Sequence, residues 1–348
     1  MKALVLHRQA PIGSHPLRLE ERELRAPGPG EVAIAVSACG ICHTDLHIVE
    51  GDLAPPRLPL VPGHQVVGRL AARPPGVTTP ALGARVGVGW LAANCGRCEA
   101  CRAGRENLCE AARFTGFHLD GGFAEQLVVP AVACHALPDA LDDLHAAPLL
   151  CAGIIGYRAL RLSGVERGGR LGLVGFGASA HLTLQVARHQ GLQVAVISRR
   201  EAQRRHALAL GADWAGEFGA QPPWPLDGLI NFTPAGGTVA PALALLRPGG
   251  VQALAGIHMS PITELPYRLL YGERALRSVA NFTAQDAREL LALAAAIPLR
   301  PDVQAYPLTD ANEALADLAA GALRGAGVLE LRGRDEILLT LTDGAGGA

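Results

Sequence analysis

The sequence predicts an α/β protein in two parts, a strand-rich one with metal-binding character and a doubly wound parallel sheet. Three observations predict it. Up to about residue 150 the chain runs in short strands and Pro/Gly turns, with little helical pattern. After Cys151, apolar strands alternate with amphipathic helices, and a Gly-x-Gly-x-x-Ala turn joins the first such strand to a helix. The 348 residues suffice for two domains of ordinary size. With 49% apolar and 18% charged residues the chain reads as globular, and its formal net charge of −1 offers no general attraction to nucleic acid or an anionic membrane. No apolar run approaches the length of a membrane span, and Met1 to Arg8 reads as a first strand, so the expected location is cytoplasmic.

In chain order, the turn Pro27-Gly28-Pro29-Gly30 leads into Glu31 to Ser37, with large apolar residues at every second position of a half-buried strand. The stretch Cys39-Gly40-Ile41-Cys42-His43-Thr44-Asp45-Leu46-His47 then crowds thiols, a hydroxyl, a carboxylate and two imidazoles together. Pro55, Pro56, Pro59 and Pro62 stiffen the approach to Gly63-His64-Gln65, and Val66 to Leu70 and Arg85 to Val88 are further short strands. Cys42, His64 and Cys151 come from three separate places. Two thiolates and one imidazole leave a zinc ion one open position, which suits catalysis better than structure. Taken singly, each of the three would read as an ordinary core residue.

Cys95, Cys98, Cys101 and Cys109 follow the spacing C-x2-C-x2-C-x7-C. Four thiolates on one loop close a tetrahedral shell, so this cluster is read as structural zinc. A ferredoxin run has a different last interval and usually a Pro where Glu110 stands, and a nucleic-acid-binding ribbon wants two separated knuckles and a basic surround. Cys39 and Cys134 are left as core residues. Eight cysteines, four of them crowded, fit metal ligation better than a disulfide framework.

Gly169 to Val174 is an apolar strand, followed by Gly175-Phe176-Gly177-Ala178-Ser179-Ala180 and a helix from Ala180 to Gln190. Gly175 permits the tight turn, Gly177 the close approach of a pyrophosphate, and Ala180 close helix–strand packing. The helix N-terminus that follows this turn supplies N–H donors and partial positive charge to phosphates. Strands at Val194 to Ile197, Leu229 to Phe232 and Val251 to Ala255 continue the alternation, with a helix from about Glu201 to Leu210. Two Ala/Leu-rich helices follow from Ala284, then strands at Val328 to Leu331 and Ile337 to Leu339, and fraying from Gly344.

These motifs, in this order along nearly the whole chain, resemble the zinc-dependent alcohol dehydrogenases of yeast and bacterial type, within the medium-chain dehydrogenase/reductase superfamily. The resemblance implies a GroES-like β-rich catalytic domain at 1–152 and 284–348, and a Rossmann cofactor domain at 153–283. It implies Cys42, His64 and Cys151 as ligands of a catalytic zinc, the Cys2His donor set for which these enzymes are known. Asp45 then orients His64 from behind, and Thr44 and His47 form a proton relay that runs through the nicotinamide ribose. His43 lies near the cofactor pyrophosphate, and Trp90 and Leu53 wall the substrate site. Partners are a small alcohol or aldehyde and, by resemblance, the same chain in a homodimer or homotetramer; neither nucleic acid nor membrane is expected.

Two departures stand out. Gln65 follows the ligand His where the family usually has Glu, leaving the metal site more positive. Ala326 stands where an Arg often approaches the cofactor phosphates. The acid that usually accepts the adenine ribose hydroxyls is also missing, since the second strand ends in Ser198-Arg199-Arg200. A serine donor and two guanidinium groups suit a 2′-phosphate, so NADP is favoured over NAD. Rival readings are a related zinc enzyme acting on polyols or activated enals, and a non-catalytic binding protein on the same scaffold.

Overall fold

The computed structural model describes residues 1–297 and 299–331. The chain divides into two compact units, Met1–Cys151 with the chain from Asp302 onward, and Ala152–Pro301.

The first unit is built on a seven-stranded sheet. Its spine is the strand Glu31–Gly40, whose apolar positions Val32, Ile34, Val36 and Ala38 are buried. That strand pairs antiparallel with Gln65–Ala72 on one side, and with Gln126–Pro130 and Ala326–Glu330 along the other. Gly40 pairs with Gln65, so Cys42 and His64 leave neighbouring strands at the same end of the sheet. The approach is close: a Cβ on Gly40 would stand 3.0 Å from the Gln65 side chain. Gly63 has φ +99°, and a Cβ there would meet Phe123 at 2.5 Å, so the turn into His64 admits only glycine. Ala326 is buried in the strand Ala326–Glu330 beside Val303.

The stretch after Gly40 departs from the strand-and-turn texture expected of this half. His43–Glu50 is an α-helix with Cys42 as its N-cap. The Cys42 sulfur accepts from the Thr44 N–H while Asp45 accepts from the Cys42 N–H, a capping box with an unusual first residue.

The second unit carries a six-stranded, wholly parallel sheet. Its order is Trp214–Gly216, Gln193–Ile197, Arg170–Val174, Leu226–Asn231, Leu246–Leu254, Ala275–Ser278. In chain order within the sheet that is 3-2-1-4-5-6, the doubly wound Rossmann arrangement. The order reverses between Arg170–Val174 and Leu226–Asn231, and ligands bind such sheets at the carboxyl ends of the strands flanking the reversal. Val174, Ala195, Ile197, Leu226 and Leu229 form the buried apolar cluster beneath it. The helix after the turn runs Ala178–His189, two residues earlier than its periodicity suggested.

The sequence-based boundary at 283/284 falls too early. Helix Ala284–Ala296 docks in the second unit: its fully buried Asp286 takes Arg158 at 2.6 Å and Arg161 at 2.7 Å, both on helix Ala152–Ser163. A buried carboxylate needs such partners, and an Ala/Leu-rich helix read alone does not say which core supplies them. The expected strand at Ile337 to Leu339 and the fraying from Gly344 lie outside the described residues.

Candidate active site

Cys42, His64 and Cys151 converge in the first unit, their ligand atoms all within 4.8 Å of one another. Cys42 caps the helix His43–Glu50, His64 precedes its strand by one residue, and Cys151 follows the 3-10 turn Ala147–Leu150. The two sulfurs lie 4.0 Å apart, close to the roughly 3.8 Å that a tetrahedron with Zn–S bonds of about 2.3 Å requires. Asp45, fully buried, binds the site together with three hydrogen bonds: Oδ2 accepts from the Cys42 N–H at 2.9 Å, Oδ1 from the Gly63 N–H at 3.2 Å, and Oδ1 pairs with His64 Nδ1 at 3.0 Å. His64 Nε2 is buried and finds no hydrogen-bond partner among the described residues. A carboxylate behind Nδ1 and an orphaned Nε2 among sulfurs are what a metal-binding imidazole looks like.

The electrostatics agree with that donor set. Hydrogen bonding from Cys151 holds the Cys42 thiol well below its usual range against the effect of burial, and the same contact and burial drive Cys151 well above it. Two buried sulfurs this close oppose each other's ionisation, and a dication between them would remove that opposition. Burial would lower the His64 pKa, but Asp45 and Cys42 outweigh it and raise it to about 10.

Thr44 Oγ1 stands 3.6 Å from the Cys42 sulfur. His47 lies one turn further along the same helix face, with Nδ1 2.7 Å from Asp52 Oδ2. The His43 ring sits 6.5 Å from that of His47. Trp90, 9% exposed, presents its ring edge-on to His64 at 5.1 Å and stacks on Phe114 at 5.0 Å, with Phe117 at 5.8 Å. Leu53 is half-buried beside the helix end, its N–H donated to the His47 carbonyl.

Cys95, Cys98, Cys101 and Cys109 likewise gather their sulfurs within 4.8 Å. Backbone N–H groups point at three of them: Cys98 N to the Cys95 sulfur at 3.3 Å, Cys101 N to Cys98 and Cys95 N to Cys109, both at 3.4 Å. Backbone donors from Arg97 and Cys98 hold Cys95 down at about 6. Donors aimed at sulfur favour thiolate, so the loop is arranged for a cation.

In the second unit, Gly175 has φ +80° and a Cβ on it would press on Thr233 Cγ2 at 3.0 Å. Gly177, the N-cap of helix Ala178–His189, has no side-chain capping bond, and a Cβ there would meet nothing within 4 Å. Open space in front of uncapped helix amides is the cradle a pyrophosphate fills. Ala180 is buried, and helices Ala152–Ser163 and Ala178–His189 pack so closely that a Cβ on Gly156 would meet Thr183 Oγ1 at 2.1 Å.

Residues 28–139 match the alcohol dehydrogenase GroES-like domain family. A probable alcohol dehydrogenase, AdhA, of Mycobacterium tuberculosis is 46% identical over 94% of this chain and 97% of its own length. The chain belongs to the medium-chain alcohol dehydrogenase superfamily. A cinnamyl alcohol dehydrogenase of Sorghum bicolor superposes with a TM-score of 0.86 at 31% identity, covering 94% of this chain and 97% of that one. A cobalt- and zinc-bound thermostable alcohol dehydrogenase of Pyrobaculum aerophilum does so with a TM-score of 0.87 at 27% identity, covering 95% and 99%. As a member of this superfamily the chain is an oxidoreductase, and no helix among its described residues is long and apolar enough to cross a membrane.

For a medium-chain alcohol dehydrogenase, one expected contact changes. Ser198 is 2% exposed and its hydroxyl donates to Gln203 Oε1 at 2.6 Å, so it does not stand ready for a phosphate. Arg199 and Arg200 are both exposed, and Arg204 fixes the strand end by donating to the carbonyls of Ser198 and Arg199 at 2.8 and 2.9 Å. Sequence reasoning also missed Asp52, Phe114 and Phe117, which become neighbours of His47 and Trp90 only once the chain folds back.

Proposed function

We propose that this chain interconverts primary or small secondary alcohols and their carbonyl compounds, with two zinc ions per chain and a preference for NADP over NAD. The observation that carries the reading is His64, braced by Asp45 on one nitrogen and open to two sulfurs on the other. Cys42, His64 and Cys151 would hold a zinc ion, which would supply Lewis acidity favouring loss of the alcohol proton. The nicotinamide cofactor supplies the hydride acceptor.

The remaining work falls to the chain. Asp45 fixes the direction of His64 and offsets its charge. The Thr44 hydroxyl, beside the Cys42 sulfur, accepts the proton of the alcohol as it gives up its own, and His47 takes up the proton passed on and releases it to solvent. Trp90, with Phe114 and Phe117 behind it, forms an apolar wall next to His64 that excludes water and favours flat or small apolar substrates. The uncapped amides of helix Ala178–His189 hold the dinucleotide phosphates. A zinc-loaded preparation assayed with a panel of alcohols and aldehydes tests the reading. Turnover of simple alcohols supports it; turnover of polyols or enals alone, or of nothing, overturns it.

For the cofactor, an exposed guanidinium after the second strand replaces the usual acid. A charge-assisted hydrogen bond is worth about 1.5–3 kcal/mol, hence roughly 10- to 100-fold in preference. Wild type is expected to favour NADP in kcat/KM, and Arg199→Asp to move towards NAD. A wild type that prefers NAD tenfold contradicts this assignment.

Gln65, 2% exposed, stands next to the ligand His64. Gln65→Glu adds a negative charge there, which raises the pKa of groups that must lose a proton. The ascending limb of the pH–rate profile is expected to move up by about one unit with zinc content unchanged. An unmoved profile shows that position 65 is passive.

A further inference from the structure

Strand Leu226–Asn231 is the fourth of the parallel sheet and stands beside Arg170–Val174, where the strand order reverses. The two strands are joined to their carboxyl ends. Beyond the last register pair, Val174 with Asn231, the Phe232 N–H still donates to the Val174 carbonyl at 2.9 Å. The crevice that such a reversal opens therefore begins at Gly175 on one side and at Thr233 on the other. The two positions touch, since the atom nearest to a Cβ placed on Gly175 is Thr233 Cγ2, at 3.0 Å.

A side-chain network inside the loop holds Thr233 there. Asn231, fully buried, ends its strand with Oδ1 accepting from the Thr233 N–H at 3.0 Å and from the Thr233 hydroxyl at 2.7 Å. Its Nδ2 donates to Thr238 Oγ1 at 2.9 Å, and the Thr238 hydroxyl donates in turn to the Ala235 carbonyl at 2.7 Å. On its outer side the loop is tied to the segment after the fifth strand. The Ser260 N–H donates to the Pro234 carbonyl and Ser260 Oγ accepts from the Gly236 N–H, both at 2.9 Å. A buried amide is costly unless partners are supplied, and those of Asn231 lie in the loop at the crevice.

From this network we propose that Asn231 is a positioning residue for the dinucleotide: it fixes Thr233 against the glycine turn and so sets the seat of the cofactor's nicotinamide half. The proposal rests on the reading of the Gly175 turn as a dinucleotide site. A Rossmann sheet is made of two mononucleotide-binding halves, and the ribose of the adenosine half is read at the end of the second strand. Asn231 ends the fourth strand, the first of the other half. Loosening its loop should therefore weaken the whole dinucleotide and spare the adenosine fragment.

Direct binding tests this on the zinc-loaded protein, titrated with NADPH and NADH and followed by the fluorescence of the reduced nicotinamide. Asn231→Ala is expected to raise the Kd of the dinucleotide that the wild type binds more tightly roughly tenfold, the loss that goes with one good hydrogen bond. KM for the cofactor should rise with it by far more than kcat falls. The Kd of the matching fragment, adenosine 2′,5′-bisphosphate or AMP, should not change. In a Thr233→Gly background, Asn231→Ala should add nothing further. Thr238→Val removes one arm of the network from a half-buried position and should raise the Kd by less, which keeps the test open if Asn231→Ala does not fold. A wild type that binds neither dinucleotide refutes the reading of the turn itself. Dinucleotide binding that is unchanged in both variants, or weakened no more than that of the fragment, overturns the role of Asn231 alone.

Discussion

Cys42→Ala is expected to abolish alcohol oxidation while leaving the thermal unfolding of the protein almost unchanged. Cys42 contributes one of the three atoms, with His64 and Cys151, that could hold a metal ion. Loss of the ion removes several kcal/mol of charge stabilisation in the transition state, and at about 1.4 kcal/mol per decade that is roughly a thousandfold or more in kcat/KM. The fold should survive because the seven-stranded sheet and its core do not depend on the sulfur. What is lost locally is one side-chain cap, the bond from Thr44 N–H to Cys42, worth about 1 kcal/mol. Activity within tenfold of wild type in Cys42→Ala would remove the residue from the site.

Cys98→Ala should do the reverse. The four-cysteine loop holds itself with little else: among its cysteines only Cys109 is buried, and the turns at Gly96 and Gly104 both have positive φ. A tetrahedral ion would therefore supply much of the loop's order, and its loss belongs with the large destabilising effects, about 3–5 kcal/mol. For a unit of this size that is a fall in Tm of roughly 10 °C. Residual activity per folded molecule should remain, since Cys42, His64 and Cys151 are untouched. An unchanged Tm with one metal ion lost would show the loop to be stable without it.

Much of this was legible in the sequence, and the reasons differ from part to part. The alternation of apolar strands and helices after Cys151 reports the doubly wound sheet because parallel strands are buried on both faces. The cysteine spacing reports the loop site because four ligands lie close in the chain. The helix His43–Glu50 was less visible, since Cys42 caps it where Ser, Thr, Asp or Asn is the usual signal. The burial of Ser198 depends on Gln203 reaching back from the next helix, and the docking of helix Ala284–Ala296 depends on arginines more than a hundred residues earlier. The His47–Asp52 pair needs the reversal at Gly51. None of these contacts leaves a local pattern, because each pairs residues brought together by a turn or by packing.

Zinc quantified on purified, active enzyme tests the central claim most directly. Two zinc ions per chain are predicted in the wild type, falling to one in Cys42→Ala with activity lost, and to one in Cys98→Ala with stability lost. A fully active wild type carrying one zinc ion or none contradicts the account.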